Sequence, residues 1–401
     1  MWEVPVDRIG DRMKAWRRRR GGMSQATLAG LAGLSQAYIS QLENGERPLD
    51  RKHTQVKIAQ ALNITVAQLT GLDSETADPV REQALIHVPA IRSALVELSA
   101  GETRTPNRDP EQVRAAVRQI TELRNAADYA AVAPRLPELL SDLAAHGEAL
   151  TPEYVEALFC TRYSLKSMGL PDLAREASEI GLRAAQSHGD PAWRGQAIYS
   201  WVQSFPPENA ALGARLVSRA ADELESQSAR DAREVYGCLH ILAGYQAAIA
   251  HQPDLAAAHL EEAGGVARTL GEPQRTGTYS AGFNGNWFSP TQVEIWRVAV
   301  AAELGDAEQA IRVTQRIDLS QLPVPNRWVY YWIDLARALA AGSRDQDAMH
   351  ALAKAERAAP QHFRFAPVVR DLTATLIHRA KRRATAGEMA DLARKLGIQP
   401  I

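Results

Sequence analysis

The chain has 401 residues, 45% of them apolar and 23% charged, with a net charge of −1. That length exceeds what one hydrophobic core usually organises, so two or more domains are expected. No apolar run approaches the roughly 20 residues needed to span a membrane. Residues 1–20 carry charges where a signal peptide needs an apolar stretch. Cys160 and Cys238 are too few for a disulfide framework and lack zinc-ligand spacing. A cytoplasmic, nucleoid-associated protein without cofactor or metal is the expectation. The near-neutral total conceals an asymmetry: residues 1–72 hold 11 Lys and Arg against 6 Asp and Glu, the remainder 35 against 41. A basic head on an acidic body predicts that only the head meets polyanions.

In chain order, the head reads as five short helices, over 7–19, 25–32, 36–44, 51–62 and 66–70, with Leu62, Val66 and Leu69 closing a small core. Residues 24–44, SQATLAGLAGLSQAYISQLEN, carry the most information. Counting Gln25 as first, the small Ala29 falls fifth, where two helices approach closely. Gly33 falls ninth, where a turn needs a left-handed backbone. Ile39 and Leu42 fall on the inward face of the second helix, and Ser35 precedes that helix as an N-cap. These offsets together describe a helix-turn-helix, whose second helix enters the DNA major groove.

The segments SQATLA, GLSQAYISQLENG and KIAQALNIT match, in order, the pattern of the phage Cro/repressor (XRE-type) DNA-binding domain. The head resembles that family over about its first 72 residues. The resemblance implies that Gln25 bonds a DNA phosphate at a helix start. It also implies that Gln36, Ala37, Tyr38 and Gln41 face base edges, Ser40 the groove wall, and Asn44 and Arg47 the backbone. An amide side chain can bond adenine bidentately. The family further pairs a buried Arg with a Glu to brace the first helix against the recognition helix; Arg18 and Glu43 occupy those places. Gly21 departs from the pattern, and an earlier helix end would hand the pairing to Arg17. The family binds double-stranded DNA as dimers on inverted-repeat operators, which implies a homodimer here.

Residues 73–110 read as a connector with one short helix, VPAIRSALVEL. From 111 to 401 the pattern is helical throughout, with breaks near Pro171, Pro253, Gly305 and Arg344, each followed about four residues on by an alanine: Ala174, Ala257, Ala310 and Ala348. Small residues there let paired helices approach closely. The body resembles degenerate tetratricopeptide repeats, a helical-hairpin solenoid, with 387–397 as a terminal cap. The expected fold is therefore all-α: a five-helix lambda-repressor-like head on a tetratricopeptide-like body. That combination is similar to the peptide-responsive quorum-sensing regulators of Gram-positive bacteria and to actinobacterial regulators. It implies transcription regulation controlled by a peptide or small-molecule effector, with dimer contacts supplied by the body. The alternative is a DNA-binding scaffold whose body recruits a protein partner. No phosphate loop, nucleophile elbow or triad spacing supports an enzyme. Residues 271–290 break the helical rhythm with Tyr279, Phe283, Asn284 and Trp287, and a second cluster begins a helix at Trp328 and Tyr331. These six are the candidate ligand contacts; loop aromatics packed over neighbouring helices are the competing reading.

Overall fold

Ser24, Ser35 and Thr65 each end an extended segment and start a helix by accepting a backbone N–H three residues on. The computed structural model describes residues 8–20, 22–71 and 79–382. Its head consists of α1 (Ile9–Arg19), α2 (Gln25–Ala32), α3 (Gln36–Glu43), α4 (Lys52–Leu62) and α5 (Val66–Thr70). Between α2 and α3, Gly33 takes φ +62°, a conformation costly for any residue with a Cβ. Met13, Leu28, Ile39, Ile58, Leu62 and Leu69 are fully buried together.

The body follows as α6 (Pro79–Leu85), α7 (Val88–Ser99), α8 (Pro110–Asn125), α9 (Tyr129–Val132), α10 (Leu136–His146), α11 (Thr151–Ser167), α12 (Pro171–His188), α13 (Pro191–Gln203), α14 (Ala210–Asp222), α15 (Arg230–Ile249), α16 (Pro253–Leu270), α17 (Pro290–Leu304), α18 (Ala307–Thr314), α19 (Pro325–Ala341), α20 (Asp345–Ala358), α21 (Pro360–Phe365) and α22 (Pro367–Arg382). Among the described residues there is no strand, only a bridge between Arg275 and Ala281. Proline recurs in the first helical turn, where its missing N–H costs nothing. Neighbours pack as hairpins, α11 with α12, α15 with α16, α17 with α18 and α19 with α20. Ala174, Ala310 and Ala348 are fully buried at these contacts. The expectation fails by one residue in α16: Ala257 faces solvent and Ala256 is the buried contact.

One difference from the sequence reading concerns the connector. Residues 79–99 form two helices rather than one, and Ala84, Ile91 and Leu95 belong to the body's main core. The expected cap at 387–397 lies outside the described residues.

Head and body are joined by polar contacts. Asp371 on α22 accepts from the backbone N–H groups of Ile9 and Leu49, each at 3.0 Å. Arg337 on α19 donates to Asp50 at 3.0 Å and to Glu303 at 3.2 Å, and Glu303 also accepts from the backbone of Lys52. Arg379 donates to the Glu46 carbonyl at 2.9 Å, and the rings of His53 and His251 stack with centroids 4.6 Å apart.

Candidate nucleic-acid interface

The apolar spacing in α3 turns Ile39 and Leu42 inward, so its first turn must face outward. Gln36 and Ala37 are exposed there; Tyr38, Ser40 and Gln41 are partly so; Asn44 and Arg47 follow the helix and are exposed. The Ser35 cap leaves the N-terminal turn well formed, with its side chain accepting from the Tyr38 N–H at 3.2 Å. Tyr38 is not a free ring. Its hydroxyl accepts from Arg51 at 3.2 Å, and the Arg47 guanidinium lies 5.7 Å from the ring centroid. Asn44 donates to Ser40 at 3.3 Å. Arg51 was not singled out from the sequence, because a contact spanning 13 residues across a turn leaves no periodic trace.

Behind this face sits the ion pair. Arg17 grips Glu43 bidentately, Nε to Oε1 at 2.6 Å and Nη2 to Oε2 at 2.8 Å, and Gln25 donates to Oε2 at 2.9 Å. Arg17 also donates to the Met23 carbonyl. Glu43 is 2% exposed. Burial pushes its carboxyl up, but the bonds from Arg17 and Gln25 outweigh it and hold the group below the usual carboxylate range. The expected pairing of Arg18 is thus corrected: Arg18 is exposed. The reason is helical phase. Ile9 and Met13 are buried, and four residues further on comes Arg17, whereas Arg18 lies about 100° around the helix. The helix ends at Arg19, with Arg20 at ψ +53°. Gly10 lets α1 lie this close, since a Cβ there would sit 2.1 Å from the Leu42 carbonyl oxygen.

The candidate ligand residues are placed differently from the expectation. Trp287 is 3% exposed and its indole donates to the Tyr279 carbonyl at 2.6 Å; the Trp328 indole donates to the Leu322 carbonyl at 2.6 Å. Tyr331 is buried in the main core, and Phe283 packs on Trp193 with centroids 4.6 Å apart. These rings fasten the 271–290 segment and the start of α19 instead of lining a pocket. Asn125 does the same work from α8, donating to the Tyr279 carbonyl and to Ser280. Asn284 alone of the six belongs to a polar interior.

With this geometry in view, comparison with known proteins is informative for the head. Residues 8–71 match a family model described as a helix-turn-helix domain. None of the curated proteins matches the chain. Across 95% of this chain and 98% of the other, it is similar to the apo form of the competence regulator ComR from Streptococcus vestibularis, at 14% identity and a TM-score of 0.28. The head is therefore a helix-turn-helix domain, and it stands on an all-helical body.

Proposed function

We propose that the protein is a sequence-specific DNA-binding transcription regulator. The observation that carries this reading is the exposed first turn of α3, with Gln36 and Ala37 outward, backed by the Arg17–Glu43–Gln25 brace. A preorganised helix end can enter the major groove without first paying to order itself. In this reading Gln36 and Gln41 contact bases, and Asn44, Arg47 and the start of α2 at Gln25 contact phosphates. One head covers half a site, so the protein acts as a homodimer on an inverted repeat. The body controls the head in response to a small effector or peptide. The contacts of Asp371, Arg337 and Arg379 support this, because they fix the head to two helices of the body, α19 and α22.

The test is selection of bound fragments from the source genome by the full-length protein. A recurring inverted repeat is expected, and Gln36→Ala should lose roughly 1–3 kcal/mol on it while relaxing preference at one base pair. Equal affinity for every fragment and for scrambled competitor at moderate salt would overturn the reading.

A further inference from the structure

Sequence reasoning placed the body's chemistry on aromatic rings; the structure gathers it instead on buried guanidinium and amide groups. Arg124 ends α8, Arg162 lies on α11 and Arg327 begins α19. They are 1%, 2% and 9% exposed. Arg124 and Arg162 both stack on Phe159, at 4.6 and 4.7 Å from its ring centroid. Arg162 and Arg327 share Tyr199 and Tyr330 as neighbours. The Arg124 Nη2 donates to the Asn284 carbonyl at 3.3 Å, the Arg162 Nε to Ser200 at 3.3 Å, and Asn286 donates to Gln196 at 2.8 Å. The 271–290 segment, α8, α11, α13 and α19 thus converge on one place.

Charge there is unbalanced. None of the three guanidiniums forms an ion pair among the described residues. Glu156, an acidic neighbour of Arg124, has its carboxyl pushed up by burial and accepts from Thr121. Burial without a counter-charge pushes Arg162 down to about 10. Buried cations are ordinarily paired, because desolvation costs several kcal/mol per ion. The hydrogen-bond inventory is also lopsided. Here six donor atoms are buried with no partner, Arg124 Nε and Nη1, Arg162 Nη2, Gln196 Nε2, Asn284 Nδ2 and Arg327 Nε, against four acceptor oxygens, those of Asn284, Asn286 and Asn326 and Glu122 Oε1. Water serves donors and acceptors alike, whereas a carboxylate only accepts and a phosphate accepts through most of its oxygens. Asn284 is moreover held at φ +52°, in a backbone conformation that a side chain other than glycine adopts at a cost.

We propose that Arg124, Arg162 and Arg327, with the amides of Gln196 and Asn284, form the binding site for a small molecule bearing a carboxylate or phosphate group. This rests on the reading of the body as a sensor and names the chemistry it senses. The site reaches toward the head: Lys166, next in space to Arg162, also lies near Lys52 of α4, whose ammonium meets the Tyr245 hydroxyl. An anion bound among the guanidiniums therefore changes the field at a residue of the head.

The test measures thermal stability and direct binding of the full-length protein with inorganic phosphate and with acetate, against chloride at matched ionic strength. A saturable rise in Tm with one of the two identifies the group, and Arg162→Gln should weaken that binding about tenfold or more, the loss of one charge-assisted bond. Arg162→Gln can also disturb packing, so Asn284→Gly serves as the second variant. It suits the φ, removes two unpartnered polar atoms and should again weaken anion binding while the protein stays folded. If neither anion raises Tm beyond chloride, or if both variants bind as the wild type does, the assignment is overturned. DNA selection reads the other proposal separately: anion binding without operator preference would sink the regulator reading and keep this site, and the converse would do the reverse.

Discussion

At the scale of single residues, the head turns on which arginine meets Glu43. A carboxylate that is 2% exposed must be neutralised where it sits, and a bidentate guanidinium with an added amide does so fully. Arg17→Ala strands that charge and should cost roughly 3–5 kcal/mol, whereas Arg18→Ala, on the exposed face, should change stability within about ±0.5 kcal/mol. Chemical denaturation of the two variants checks this; equal losses would mean that both arginines serve the pair. The helix-turn-helix was legible at this scale because each of its requirements is local: a small residue at Ala29, a left-handed turn at Gly33, a cap at Ser35. The Arg17 pairing was legible too, in the four-residue steps Ile9, Met13, Arg17, but family position pointed one residue further. Gln25 shows the opposite case. Its expected phosphate role is what the family resemblance implies, while its bond to Glu43 depends on how α1, α2 and α3 meet, which no local pattern encodes.

Among elements, the hairpin pattern was readable from breaks followed by alanines, since close helix packing demands small side chains wherever the chain doubles back. Its register was less certain. An offset of four residues after Pro253 gives Ala257, but α16 has alanine at three successive positions, and composition alone cannot choose among them. The structure chooses Ala256, fully buried against α15. Ala256→Leu should therefore overpack the hairpin and cost roughly 1–3 kcal/mol, while Ala257→Leu should be nearly neutral. Thermal unfolding of both decides; a larger loss at 257 would put α16 in the wrong rotation. The same limit explains the aromatic segment at 271–290. Rings on a glycine-rich stretch read equally well as pocket lining or as packing, and what settles it is the set of partners, Asn125, Glu234 and Trp193, that lie far off in sequence. The buried arginines were invisible for the same reason, each unremarkable among many in an arginine-rich chain.

For the whole molecule, the question is how firmly the head is held, and Asp371 is one residue through which pH acts on it. Its carboxyl is pushed up to about 6, chiefly by burial, against the opposing bonds from the Ile9 and Leu49 N–H groups; Asp50 adds to the rise and Arg8 reduces it. A value raised above the unfolded one means that the folded state holds the proton more tightly. The stability this group contributes is thus fully present below the unfolded value of 3.8 and is lost as pH rises through about 6. Asp371→Asn removes that titration. At neutral pH it also sets an amide N–H against one of two backbone N–H donors, leaving a buried donor unmet. Two results are expected. The stability difference between variant and wild type changes between about pH 4 and 6 and is level above it. Hydrogen exchange at the Ile9 and Leu49 amides quickens at neutral pH, while amides in the body's main core keep their protection. A difference independent of pH would mean that Asp371 does not titrate in that window. Unchanged exchange at both amides would mean that the remaining contacts, from Arg337 and Arg379, hold the head without it. Faster exchange accompanied by tighter operator binding would tie this carboxylate to the body's control of the head.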